Sequence, residues 1–162
     1  MPDNDVFVEM ECCQLCHDGE DVCGDDYRFE RLENENRHLA VLSDGLGSGI
    51  KANLLACMTT TMALEFIRSN MDVLLSAEII MDTLPVCEVR RISYATFSIL
   101  DLQIGGKSRI IEMDNPPFIH LRNGNDLKVN RQSMVSERWP DRRVRLAEIY
   151  AIAGDRLIAF SD

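Results

Sequence analysis

The spacing of apolar and polar positions changes character several times along the chain. Residues 6–14 alternate well enough to predict a first strand, and Asp18-Gly19 within 17–21 predicts the loop after it. Residues 27–32 alternate aromatic or apolar with charged side chains, 33–37 form a polar turn, and 38–43 run almost unbroken apolar, as a strand covered on both faces does. The expected unit is a hairpin whose return arm is a central strand. From Gly49 the period lengthens: Ile50, Leu54, Met58, Met62 and Phe66 recur every fourth residue, widened by Leu55 and Cys57. A long helix over 49–70 follows, with that stripe in the core. A shorter helix is predicted over 73–84, stopped by Pro85. Strands return at 93–102, 107–113, 118–121 and 127–130, with turns at Gly105-Gly106 and Asn123-Gly124, and again at 147–153 and 156–160 around Gly154-Asp155. Strands, then helices, then strands predict an α+β domain of mainly antiparallel sheets.

Composition narrows the partners. With 162 residues, 46% of them hydrophobic, one core and one domain over 1–162 are expected. The 27 acidic residues against 17 Lys and Arg give a charge of −10, which repels phosphate backbones and anionic membranes, so neither nucleic acid nor a membrane is an expected partner. Carboxylates gathered around divalent cations would reverse that field locally. No run suggests a membrane helix, and the N-terminus lacks the regions of a signal peptide, so a cytoplasmic location is expected. Cys12, Cys13, Cys16 and Cys23, with His17, form one irregular cluster without the second half of a zinc site, and Cys57 and Cys87 stand apart. Reduced thiols without zinc or a disulfide are the expectation.

The candidate chemistry is acidic. The run from Asp44 through Gly45, Leu46, Gly47 and Ser48 to Gly49 joins the buried strand to the long helix. Its glycines suit a loop whose backbone approaches a ligand, but it lacks Gly-Lys-Ser/Thr and opens on an acid, so a hard cation suits it better than phosphate. Asp25 opens the outgoing arm of the same hairpin, so strand pairing would bring Asp25 and Asp44 to one end of the sheet. The plainer alternative is that Asp25 and Asp26 start a strand while Asp44 caps the helix. Asp162 ends an apolar strand in Ser161-Asp162, as Asp44 ends its own in Ser43-Asp44.

Three motifs in order, from Glu20 to Tyr27 through Gly24-Asp25-Asp26, from Leu42 to Gly49 with Ala52 beyond, and from Gly154-Asp155 to Ser161-Asp162, resemble those of stage II sporulation protein E-type phosphatases. These belong to the PPM superfamily of metal-dependent serine/threonine protein phosphatases. The resemblance implies a PPM-type β-sandwich flanked by helices. It implies two Mn²⁺ or Mg²⁺ ions held by Asp25, Asp44, the Gly45 carbonyl and Asp162, with Asp25 and Asp44 central to catalysis. The activity implied is hydrolysis of phosphoserine or phosphothreonine by metal-activated water, on a phosphorylated protein such as an anti-sigma-factor antagonist. Met113-Asp114-Asn115-Pro116-Pro117 departs from the family pattern and is expected to be a surface loop. The family domain continues beyond a Ser-Asp-Gly motif to a helix and a strand with another aspartate, so the domain is expected to be incomplete at its C-terminus. An uncovered edge near 156–162 would then favour a homodimer. An inert binding or regulatory module is the rival reading, and a cysteine phosphatase finds no Cys in a phosphate loop closed by Arg.

Overall fold

In the computed structural model, which describes residues 6–85 and 95–162, the hairpin forms as the alternation dictates. Strand β1 (Asp25–Leu32) pairs antiparallel with β2 (Arg37–Gly45), turned by Asn36 in the left-handed region. Helices α1 (Gly49–Arg68) and α2 (Val73–Thr83) follow, the second capped by the Asp72 side chain on the Leu75 amide. Then come β3 (Ala95–Gln103), β4 (Ser108–Met113), β5 (Ile119–Arg122), β6 (Asn125–Asp126), β7 (Arg131–Val135), β8 (Arg143–Ile149) and β9 (Arg156–Ile158). A six-stranded sheet runs β1-β2-β3-β4-β8-β7 and a three-stranded sheet runs β6-β5-β9, with every ladder antiparallel.

Alternation along the central strands builds two cores on the two faces of the large sheet. Leu39, Val41, Phe97, Ile99, Ile111 and Val144 meet Ala63, Ile67, Ala77 and Ile80 of the helices. Leu100, Ile110, Ala147 and Ile149 meet Phe118 and, from the small sheet's side, Leu157 and Ala159. The α+β sandwich with helices on one side is therefore as expected.

Several expectations fail in instructive ways. Residues 6–14 form no strand: Val6, Val8 and Met10 instead line a cavity of about 730 Å³ with Tyr27, Phe29 and residues 151–159. The apolar stripe of α1 faces the core only in its second half: Met62 and Phe66 pack against it, whereas Ile50 is 75% and Leu54 60% exposed. The buried side is Ala52, Ala56, Thr59, Thr60 and Ala63, whose small size lets the helix lie close on β1, β2 and β3. By length and composition α1 is also apolar enough to cross a membrane, which corrects the reading that no segment is. Residues 127–130 are irregular, and the strand lies at β7 instead. Cys16 and Cys23 are joined in a disulfide, so only Cys12, Cys13 and Cys57 are free among the described residues. Cys87 and the start of the strand expected at 93 lie outside the described residues.

Candidate metal centre

The register of the hairpin sets the site. Asp25 lies directly opposite Asp44, and Asp44 in turn lies opposite Thr96 on β3. The two aspartates thus share one end and one face of the large sheet, the face turned toward the small sheet. Asp26, one residue on, points the other way, to the Thr60 hydroxyl and to Arg28 on the helix side. Of the two neighbouring acids, pairing therefore presents Asp25 to the site and gives Asp26 to structure.

Gly45 follows from packing. A Cβ there would lie 1.9 Å from the Ala52 carbonyl oxygen, so only glycine lets the first turn of α1 close on the strand end. Its amide donates to the Gly24 carbonyl at 3.3 Å, which extends the pairing beyond Asp25 and Asp44. Gly47 and Gly49 take φ of +105° and +66° and turn the chain into the helix. Ser48 is the residue at the helix N-terminus, so Asp44 does not cap the helix as the plainer alternative had it. Glu20, held in the loop closed by Cys16 and Cys23, accepts from the Ser48 hydroxyl at 3.1 Å.

Chain leaving β9 brings in the third carboxylate. The Ser161 hydroxyl donates to Asp25 Oδ2 at 2.8 Å, and Asp162 is near enough for its charge to act on Asp44. Burial, then a hydrogen bond with Asp25 and its charge, then Asp162, push the Asp44 carboxyl up to about 7. Such crowding of acids is the condition that a cation relieves. Among the described residues, however, no three His, Cys, Asp or Glu side chains already converge as a metal-binding group. The donors are all oxygens and suit a hard cation, with two of them set by strand register and the third carried beyond β9.

Sequence reasoning missed the support beside Asp44. Asn115 is 2% exposed, and so not part of a surface loop; only Asp114 and Pro117 of its segment are open. Its side chain accepts from the Thr96 hydroxyl and donates to Ser98 Oγ at 3.0 Å, which fixes the residue facing Asp44. A polar residue between an acid and two prolines carries no pattern that marks it as buried.

No family model and no curated protein matches the chain. Among solved structures, the phosphatase domain of the cell fate determinant SpoIIE from Bacillus subtilis is similar over 87% of this chain and 60% of its own, at a TM-score of 0.60 and 21% identity. A structure of the PP2C phosphatase domain of SpoIIE with a fragment of its regulatory domain matches over 83% of this chain and 39% of its own, at 0.61 and 23%. RsbX in complex with magnesium matches over 71% and 54%, at 0.55 and 23%. This chain therefore spans less than two thirds of the length of each. What it shares with them is architecture: its fold is that of the PP2C-type phosphatase domain.

Proposed function

We propose that the chain is part of a metal-dependent phosphatase of the PPM superfamily that hydrolyses phosphoserine or phosphothreonine on a regulatory protein. The observation that carries the reading is the pairing of Asp25 with Asp44 at one sheet end, with Asp162 acting on the same carboxyl. Asp25, Asp44, Asp162 and the Gly45 carbonyl would hold Mn²⁺ or Mg²⁺, and RsbX, a neighbour in fold, was solved with magnesium. Bound there, the ions would supply an activated water and charge to neutralise the phosphoryl oxygens. The chain's own part is to fix the Asp44 backbone by pairing on both sides and the Asp25 backbone by pairing with β2, to orient Asp25 through Ser161, and to keep Gly45 free of a side chain. A phosphorylated anti-sigma-factor antagonist is the substrate that the family resemblance suggests.

Asp44→Asn removes ligand charge at nearly constant volume. The expected outcome is loss of Mn²⁺-dependent hydrolysis of a phosphoserine peptide, by more than about a hundredfold, with loss of the rise in Tm that Mn²⁺ gives the unmodified chain. Retention of both would overturn the metal role. The unconverged carboxylates favour a second reading, binding without turnover. It predicts a Mn²⁺-induced rise in Tm with no hydrolysis.

A further inference from the structure

The segment before β1 has little of its own to hold it, since residues 16–21 are exposed and belong to no helix or strand. It nevertheless grips the carboxylate corner at three points. Gln14 Nε2 donates to the Asp25 carbonyl at 2.7 Å, an oxygen that Asn53 of α1 also reaches at 3.3 Å. Glu20 accepts from the Ser48 hydroxyl and lies so near Gly49 that a Cβ there would meet its Oε2 at 2.4 Å. That carboxylate sits at the N-terminus of α1, the end of a helix that favours negative charge. The Gly24 carbonyl accepts from the Gly45 amide at 3.3 Å.

The Cys16–Cys23 disulfide makes these contacts cheap to form. Gln14 and Asp25 lie 11 apart in sequence, and the bridge, with a separation of 7, closes most of the loop between them. Glu20 is inside the bridged loop, so the same bond confines it beside Ser48. Without the bond, the backbone turn from the Glu20 amide to the His17 carbonyl is the only main-chain hydrogen bond within 16–23 among the described residues. Cys16 is exposed, so a soluble dithiol reaches its sulfur.

We propose that Cys16 and Cys23 are a site of reversible oxidation that sets the order of the carboxylate corner. As a disulfide they seat Gln14 and Glu20 on the elements that carry Asp25, Asp44 and Gly45, and as thiols they release them. The consequence for cation binding rests on the metal-centre reading above. The reductant is a dithiol. One of its thiolates attacks Cys16 Sγ, the S–S bond breaks, and Cys23 leaves as a thiolate that takes up a proton. The second thiolate then displaces Cys16 Sγ, which is protonated in turn, and the reductant ends as its own disulfide. An oxidised dithiol runs the exchange backwards.

The test uses the full chain with Cys12→Ser and Cys13→Ser, so that these exposed thiols cannot reshuffle the bridge. It is measured oxidised, after reduction by dithiothreitol and anaerobic removal of the reagent, and after reoxidation. Amide hydrogen exchange over residues 45–49 should speed up about tenfold or more on reduction and return on reoxidation, while the amides of β3 and β4 stay unchanged. The Kd for Mn²⁺, by titration calorimetry, should rise about fivefold or more and recover likewise. Adding Cys16→Ser and Cys23→Ser should fix the chain in the reduced behaviour. Unchanged exchange over 45–49, or an equal rise in β3 and β4, overturns the switch. Mn²⁺ bound with one affinity in both states also overturns it and leaves the metal centre standing. Exchange that responds to reduction with no Mn²⁺ bound in either state does the reverse.

Discussion

Two Ser-Asp pairs end two strands and are built differently. Ser43 is fully buried and donates to the Thr96 carbonyl at 2.7 Å, tying β2 to β3, while Asp44 follows in a strand paired on both sides. Ser161 lies beyond β9, three residues long and paired only with β5, and its hydroxyl reaches across to Asp25. The first serine locks a backbone and leaves its aspartate preset. The second uses its hydroxyl to hold the partner acid, and its own aspartate follows a short strand paired on one side only. The same dipeptide thus makes one fixed wall and one adjustable wall, the arrangement that the proposed metal centre would need to take up cations after folding.

Breaking the fixed wall has the largest expected effect. In Gly45→Ala the new methyl meets the carbonyl oxygen and carbon of Ala52 at 1.9 and 2.6 Å, helix backbone that cannot step aside as a side chain can. The helix must lift from β2, at a cost of about 3 kcal/mol in chemical denaturation. Gly47→Ala is the control: its φ of +105° strains an alanine but the space around it is open, and about 1 kcal/mol is expected. Equal losses in the two variants would show that helix contact does not set this wall.

Next comes the anchor of the adjustable wall. Asp155, in the turn before β9 with its side chain covered, accepts from Arg122 twice at 2.8 Å, from the Ile152 amide at 3.0 Å, and is 3.0 Å from His120 Nε2, a ring on β5. The Arg122 hydrogen bonds hold its carboxyl well below the usual carboxylate range. A depressed carboxyl contributes stability that is present above its unfolded pKa and lost as pH falls toward the folded one. Asp155→Asn should cost about 2 kcal/mol at pH 7, and its deficit should shrink as pH falls below about 4. A deficit independent of pH would mean that charge plays no part in the anchor.

How much of this was legible in the sequence follows from what each segment shows to solvent. The hairpin was, because a doubly covered strand beside an alternating one fixes both register and face, and Asp25 opposite Asp44 follows by counting. Helix α1 was found but its stripe is core only in part, since Met62 and Phe66 pack inward while Ile50 and Leu54 are exposed beside the buried Ala52 and Ala56. Strand β7 was missed because an edge strand reading Arg-Gln-Ser-Met-Val is half exposed and has no apolar alternation. The N-terminal segment alternates but lines a cavity with Tyr27 and Phe29 rather than pairing with β1. The Cys16–Cys23 bond closes because the loop with Gly19 at φ +85° brings the two Cα atoms to 4.3 Å, a distance spacing alone does not reveal.

The smallest expected effect tests the link between the walls. Ser161→Ala deletes one hydroxyl at a partly buried position, and its hydrogen bond goes to a carboxylate that nothing else in the described residues pairs as an ion. Charge-assisted bonds contribute about 1.5–3 kcal/mol when well buried, and half-exposure reduces that to about 1 kcal/mol here. Two routes could lose that energy: loosening of the chain after β9, or loss of a donor to Asp25. A double-mutant cycle with Asp25→Asn separates them, because only the second requires the Asp25 charge. If the hydroxyl acts through Asp25, Ser161→Ala costs about 1 kcal/mol in the unmodified background and about half of that in the Asp25→Asn background, where a neutral amide oxygen is the acceptor. Equal costs in both would mean that Ser161 merely stiffens the chain end, and the second Ser-Asp pair would then approach the site without being tied to it.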